Sequence, residues 1–259
     1  FAPDGFKIVA GKRSSEFPDR FADIVRISGD GRLVVTQAEG LHAQYLKWSP
    51  DSMHYIYLSP GQGRGIEYAI TIVNTETAKR HEIGFAWTAK SPDLAEWAPD
   101  SRKIAISDGR TIYIAENGAN GCKFLYDGMG AGDIAKLQWQ SNSELIFVEG
   151  NAVKSINPET LEEKTLALGT DIALSQNRQL LCFLSQGDIS AYEPANGTSR
   201  NITLSPQEET SFTFLPGGKK MIFVQEENGV QNVSLMGVDG GGFMRLTENS
   251  NPLVKYHIK

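Results

Sequence analysis

LKWSPDSMHYIYLS, residues 46–59, returns as AEWAPDSRKIAIS at residues 95–107 and in eroded form as LQWQSNSELIFVE at residues 137–149. Two weaker copies follow, IALSQNRQLLCFLS from Ile172 and FTFLPGGKKMIFVQ from Phe212, and the chain opens inside another, FAPDGFKIVAG. The anchors of these copies are Phe1, Trp48, Trp97, Trp139, Leu174 and Phe214. They lie roughly 35 to 50 residues apart, the period of a four-stranded antiparallel unit. In each copy an apolar strand ends at the anchor, a Pro-Asp-Ser or Gly-containing tetrapeptide turns the chain, and a second strand such as KIAIS runs back. A third strand is predicted in DIVRIS, AITIVN, TIYIAE, AVKSIN, DISAYE and QNVSLM, and a fourth in segments such as RLVVTQ and FMRLTE. β-branched alternation without helical periodicity excludes a helical solenoid.

Six such units predict an all-β chain, a six-bladed β-propeller over residues 1–259 as one domain. The anchor tryptophans recur at one blade position, which favours packing between neighbouring blades over ligand binding. The Trp-Ser-Pro-Asp-Ser turns, together with Val-Asp-Gly-Gly-Gly-Phe-Met-Arg-Leu-Thr at residues 238–247, resemble the repeat of TolB-type propellers. WD repeats share the Ser-Pro-Asp turn, but their Gly-His and Trp-Asp signatures are missing from every copy. The resemblance spans essentially the whole chain and is specific for the repeat, not for a function. It implies a non-enzymatic module that docks proteins or peptides at its loop face or central channel, in a periplasmic or secreted setting. The first residue, Phe1 rather than Met, accords with a removed upstream segment. Two enzymatic settings resemble it too. A propeller that gates a serine peptidase of the prolyl oligopeptidase type needs a hydrolase domain. A propeller lactonase or lyase needs a channel-bound metal.

A propeller must join its last blade to its first, or a strand edge is left unpaired. No strand precedes Phe1, whereas PLVKYHIK at residues 252–259 alternates like one. Residues 253–259 are therefore expected to supply the innermost strand of the first blade, whose other strands lie between Phe6 and Gln37.

The composition is that of a globular protein, 40% hydrophobic and 22% charged, with a net charge of -6. An acidic chain lacks the basic surface that binds nucleic acid, and no apolar run approaches the ~20 residues of a membrane span. A monomer is expected, with no cofactor. Nucleophile elbow, zinc, phosphate-loop and calcium-loop motifs are absent, and His42, His54, His81 and His257 are scattered. Cys182, inside QLLCFL, reads as a small buried hydrophobe.

Propeller topology puts the second-to-third strand loops and the blade-to-blade connections on one face, and the Pro-Asp turns on the other. The first face carries the long insertions GKRSSEFPDRFAD, SPGQGRGIEY, GFAWTAKSPDL and DGMGAGDI. Long loops on a rigid scaffold are where binding concentrates. The partner-binding candidates are Arg13, His42, Tyr45, Arg64, Phe85, Trp87, Met129, Glu208 and Glu227. Arg64 lies in GQGRG, which precedes a strand and so lacks the helix dipole of a phosphate cradle. Phe85 and Trp87 are rings in a loop, and tryptophan and arginine are enriched at interface hot spots. The same face is expected to gather Glu208, Glu209, Glu226 and Glu227 into an acidic rim able to orient a charged partner.

Overall fold

A computed structural model describes residues 1–13, 21–28, 30–32, 34–38, 44–60, 68–85, 94–119, 121–128 and 132–256. Every regular element in them is a strand, and all pairing is antiparallel between sequence neighbours. Sheet I contains β1 (Lys7–Arg13), β2 (Phe21–Ser28) and β3 (Val34–Ala38). Sheet II contains β4 (Gln44–Trp48), β5 (His54–Pro60), β6 (Tyr68–Asn74) and β7 (Arg80–Phe85). Sheet III contains β8 (Leu94–Trp97), β9 (Lys103–Ser107), β10 (Thr111–Glu116) and β11 (Cys122–Asp127). Sheet IV contains β12 (Ile134–Ser141), β13 (Glu144–Glu149), β14 (Ala152–Ile156) and β15 (Glu163–Leu168). Sheet V contains β16 (Thr170–Leu174), β17 (Leu181–Ser185), β18 (Asp188–Glu193) and β19 (Thr198–Asn201). Sheet VI contains β20 (Glu208–Phe214), β21 (Lys220–Glu227), β22 (Val230–Gly237) and β23 (Met244–Arg245).

The chain forms two compact units, Phe1–Asp127 with sheets I to III and Gly128–Lys259 with sheets IV to VI. Within each unit the apolar layers lie between consecutive sheets. Along β5, Tyr55 and Tyr57 pack with Val9 and Ile24 of sheet I, whereas Ile56 and Leu58 join Trp97, Ile104 and Ile106 of sheet III. Sheet V repeats the pattern in the second unit. Leu181 and Phe183 pack with Ile146 and Val148 of sheet IV, and Cys182 between them packs with Met221 and Phe223 of sheet VI. A middle sheet buried on both faces needs an unbroken apolar strand, which is why HYIYLS and LLCFLS lack polar alternation. Trp97 is buried at the end of its first strand, as the repeat implies, and Trp139 is buried two residues before the end of β12.

Five sheets share one turn, which lies between the first two strands in sheets II, III, V and VI and just before β1 in sheet I. Backbone N–H of Gly5, Ser52, Ser101, Arg178 and Gly218 each donates to the carbonyl three residues earlier. All five residues have positive φ, between 58° and 76°. Asp4, Asp51, Asp100 and Asn177, one residue earlier, each accept the N–H two residues on through Oδ1, closing the turn. This explains the Pro-Asp-Ser recurrence. Sheet IV departs from it, pairing Ser141 with Glu144 across a two-residue hairpin.

Two expectations differ from the structure. Phe1, placed at an anchor, is 85% exposed. Sheet I shows three strands among the described residues, and Leu253–Tyr256 form no strand. These residues lie instead against sheet VI, with Tyr256 N donating to Gln231 Oε1 and Lys255 Nζ to the Gly229 carbonyl. Residues 257–259 are outside the described set.

Candidate functional site

Glu208 opens β20 and Glu227 closes β21, and both are exposed. The register places Glu208 opposite Glu226 and Glu209 opposite Gln225, so one hairpin end carries all four glutamates. Beyond Glu227 the chain reverses through Asn228 and Gly229, both with positive φ, the geometry of a tight Asn-Gly hairpin. The second-to-third loop of sheet V is equally short, with Gln186 and Gly187 at positive φ between paired Ser185 and Asp188. The rim is thus fixed by hairpins.

Glu209 is not a rim charge as expected. It is 4% exposed, and its backbone N–H donates to the Gly187 carbonyl. Its Oε2 accepts from Thr203 Oγ1 at 2.8 Å, and its Oε1 accepts from Ser205 Oγ at 2.9 Å and Gln225 Nε2 at 3.1 Å. Gln225 is oriented in turn by Ser234 Oγ, which donates to its Oε1. Burial pushes the Glu209 carboxyl above the ordinary glutamate range, a rise opposed by the three donated hydrogen bonds and reinforced by Asp188. Glu209 therefore ties the connection from sheet V into sheet VI to a polar cluster inside the second unit.

Thr203 closes the other end of that tie. Its Oγ1 accepts from Ile189 N at 2.8 Å, replacing a ladder bond where the fourth strand of sheet V ends. Thr247 does the same for Val233 N at 2.9 Å in sheet VI. The Asn-Ile-Thr of residues 201–203 and the Arg-Leu-Thr of residues 245–247 are thus one device. Reading the threonine of the repeat as a strand terminator would have found it from sequence. Nothing in the sequence marked Ser205 and Gln225 as partners of Glu209, because they lie on separate segments.

The half-buried Glu226 and exposed Glu227 carboxylates are ordered by fewer contacts. Gln231 Nε2 donates to Glu226 Oε2 at 2.7 Å, and Lys255 Nζ lies 3.5 Å from the same oxygen. The Gln231 bond, with help from Lys255, holds the Glu226 carboxyl below its usual range. Gln207 Nε2 reaches Glu227 Oε2 at 3.5 Å.

The other candidates fall in the first unit or outside the described residues. His42, Arg64, Trp87 and Met129 lie outside them. Arg13, Tyr45 and Phe85 are placed by backbone alone, at the end of β1, inside β4 and at the end of β7. Among the described residues, no group of three or more His, Cys, Asp or Glu is arranged to hold a metal ion.

No protein-family model and no curated protein sequence matches the chain. Solved structures do. TolB from Acinetobacter baumannii aligns with a TM-score of 0.54 at 16% identity, covering 91% of this chain and 62% of that one. The chain thus spans a little less than two thirds of that TolB. A nidogen/laminin complex aligns with a TM-score of 0.55 at 13% identity, covering 87% and 90%. An oligogalacturonate lyase in complex with manganese aligns with a TM-score of 0.68 at 11% identity, covering 99% and 77%. At such identities the likeness concerns the fold, which is that of a TolB-like β-propeller.

Proposed function

We propose that the chain is a non-enzymatic platform that binds a basic protein or peptide segment across its loop face. In this reading six blades form a ring, and the protein works as a monomer outside the cytoplasm without a cofactor. The observation that carries the proposal is the carboxylate rim of Glu208, Glu226 and Glu227, held on tight hairpins and anchored beneath by buried Glu209. Fixed like charges at a rim steer and orient an oppositely charged partner more than they add affinity. The nidogen/laminin neighbour supports it as a propeller of this fold found in a protein complex. Among the described residues no helix is long and apolar enough to cross a membrane.

Fluorescence anisotropy with a labelled lysine-rich decapeptide, and with its glutamate-substituted counterpart, tests the reading. The basic peptide should bind, weaken as salt is raised, and be lost in the double variant Glu208→Lys/Glu227→Lys. Equal binding of the acidic peptide, or binding untouched by the double variant, would overturn it. Trp87→Ala should weaken binding without unfolding the chain if the long loops share the surface.

A further inference from the structure

On the opposite, turn-bearing face of the second unit lies a cavity of about 600 Å³ that the rim does not use. It sits where the sheet V turn, the β18–β19 turn and the sheet VI turn meet, with Gln140 of sheet IV in its wall. Its lining includes the residue at the left-handed turn position. In sheets II and III that residue is a serine. In sheet V it is Arg178, whose guanidinium donates to the Trp139 carbonyl and whose own carbonyl accepts from Gln140 Nε2. Long side chains here span from the sheet V turn to the end of β12.

The lining is balanced in charge. Arg178 is engaged with Trp139, and the Glu193 carboxylate accepts from Asn196 Nδ2 at 2.8 Å. The remaining polar side chains are neutral. Asn177 Nδ2 donates to Gln179 Oε1 at 2.9 Å, which directs the Gln179 amide nitrogen away from that bond. Among the described residues no donor reaches Gln140 Oε1, although the atom is shielded from solvent. Such an acceptor gains by rotating toward a donor in the cavity. Leu180, Pro194 and Val238 supply apolar wall.

We propose that this cavity binds a neutral saccharide ring. Hydroxyl groups both donate and accept, matching the unpartnered Gln140 amide oxygen and the Gln179 amide nitrogen of the same lining, and the C–H face of a sugar suits the apolar wall. An ammonium ligand serves only the acceptor, a carboxylate only the donor, and a charge-balanced lining attracts neither. The volume falls within the roughly 300–1,000 Å³ of small-molecule sites. The proposal is independent of the basic-partner reading.

Saturation-transfer NMR and calorimetry on the full chain test it with glucose, N-acetylglucosamine and lactose, against glucuronate, methylammonium and triglycine. Ala195→Trp fills the exposed mouth, Gln140→Leu removes the amide, and Glu208→Lys on the other face is the control. At least one neutral sugar should bind, weaken about tenfold or more in Ala195→Trp and Gln140→Leu, and bind Glu208→Lys unchanged. The proposal falls if no neutral sugar binds, if a charged probe or the peptide binds in preference, or if sugar binding survives Ala195→Trp. Should Gln140→Leu fail to fold by circular dichroism, the Ala195→Trp result decides.

Discussion

The turns of sheets II and V have the same backbone and opposite uses. Asp51-Ser52 and Asn177-Arg178 both end in a left-handed residue, at φ 60° and 58°. Ser52 is buried and its hydroxyl accepts Asp4 N at 3.0 Å from the turn of sheet I, and Ser101 likewise accepts Asp51 N at 3.1 Å. Each serine staples its own turn to the preceding one. In sheet V the staple is replaced by Arg178 and Gln140, and a cavity takes the place of close packing. The same backbone position thus carries a serine staple in one seam and a long side chain lining a cavity in the other. A positive φ costs any L-residue other than glycine roughly 1 kcal/mol, so both choices are held in place by contacts across the seam.

The buried tryptophans that neighbour both turns, Trp97 near His54 and Trp139 bonded by Arg178, set the largest expected effect. Trp97→Ala and Trp139→Ala each remove a buried ring and should cost about 3–5 kcal/mol in urea unfolding. A loss near zero for either would separate that turn from the core. The staple itself comes next. Ser101→Ala leaves Asp51 N without its acceptor and should cost about 1–3 kcal/mol. Ser101→Gly loses the same bond while relieving the left-handed strain, and should cost measurably less. Equal losses would show that the backbone conformation carries no strain there. Arg178→Gly also gains that relief but gives up the bond to Trp139, so its stability should stay within about 1 kcal/mol of the parent.

A smaller effect contrasts this face with the loop face. Burial raises the Glu209 pKa in the folded chain, so the folded state keeps its proton to higher pH than the unfolded state does. Stability should therefore decline as pH rises from the ordinary value of 4.5 through the raised one. Asp188 faces the same cluster and adds to the rise. In thermal melts across that window Glu209→Gln should lose most of the slope, whereas Ser101→Ala should keep it. A variant slope equal to that of the parent would assign the pH response elsewhere.

The period of the Trp-Ser-Pro-Asp-Ser copies was enough to establish an all-β repeat and the ends of the first strands at Trp48, Trp97, Leu174 and Phe214, because strand alternation and turn chemistry are local. The same locality made the Asp and Ser of each turn visible as turn formers. It hid what their side chains meet. That Ser52 serves Asp4, that Arg178 reaches Trp139, and that Glu209 is withdrawn from an acidic run into a cluster with Thr203, Ser205 and Gln225 depend on which segments the sheets bring side by side. Hydrogen-bond partners from separate segments, and the desolvation that raises a buried carboxyl, exist only once the strands are stacked, so tertiary structure alone divided the glutamates between rim and interior.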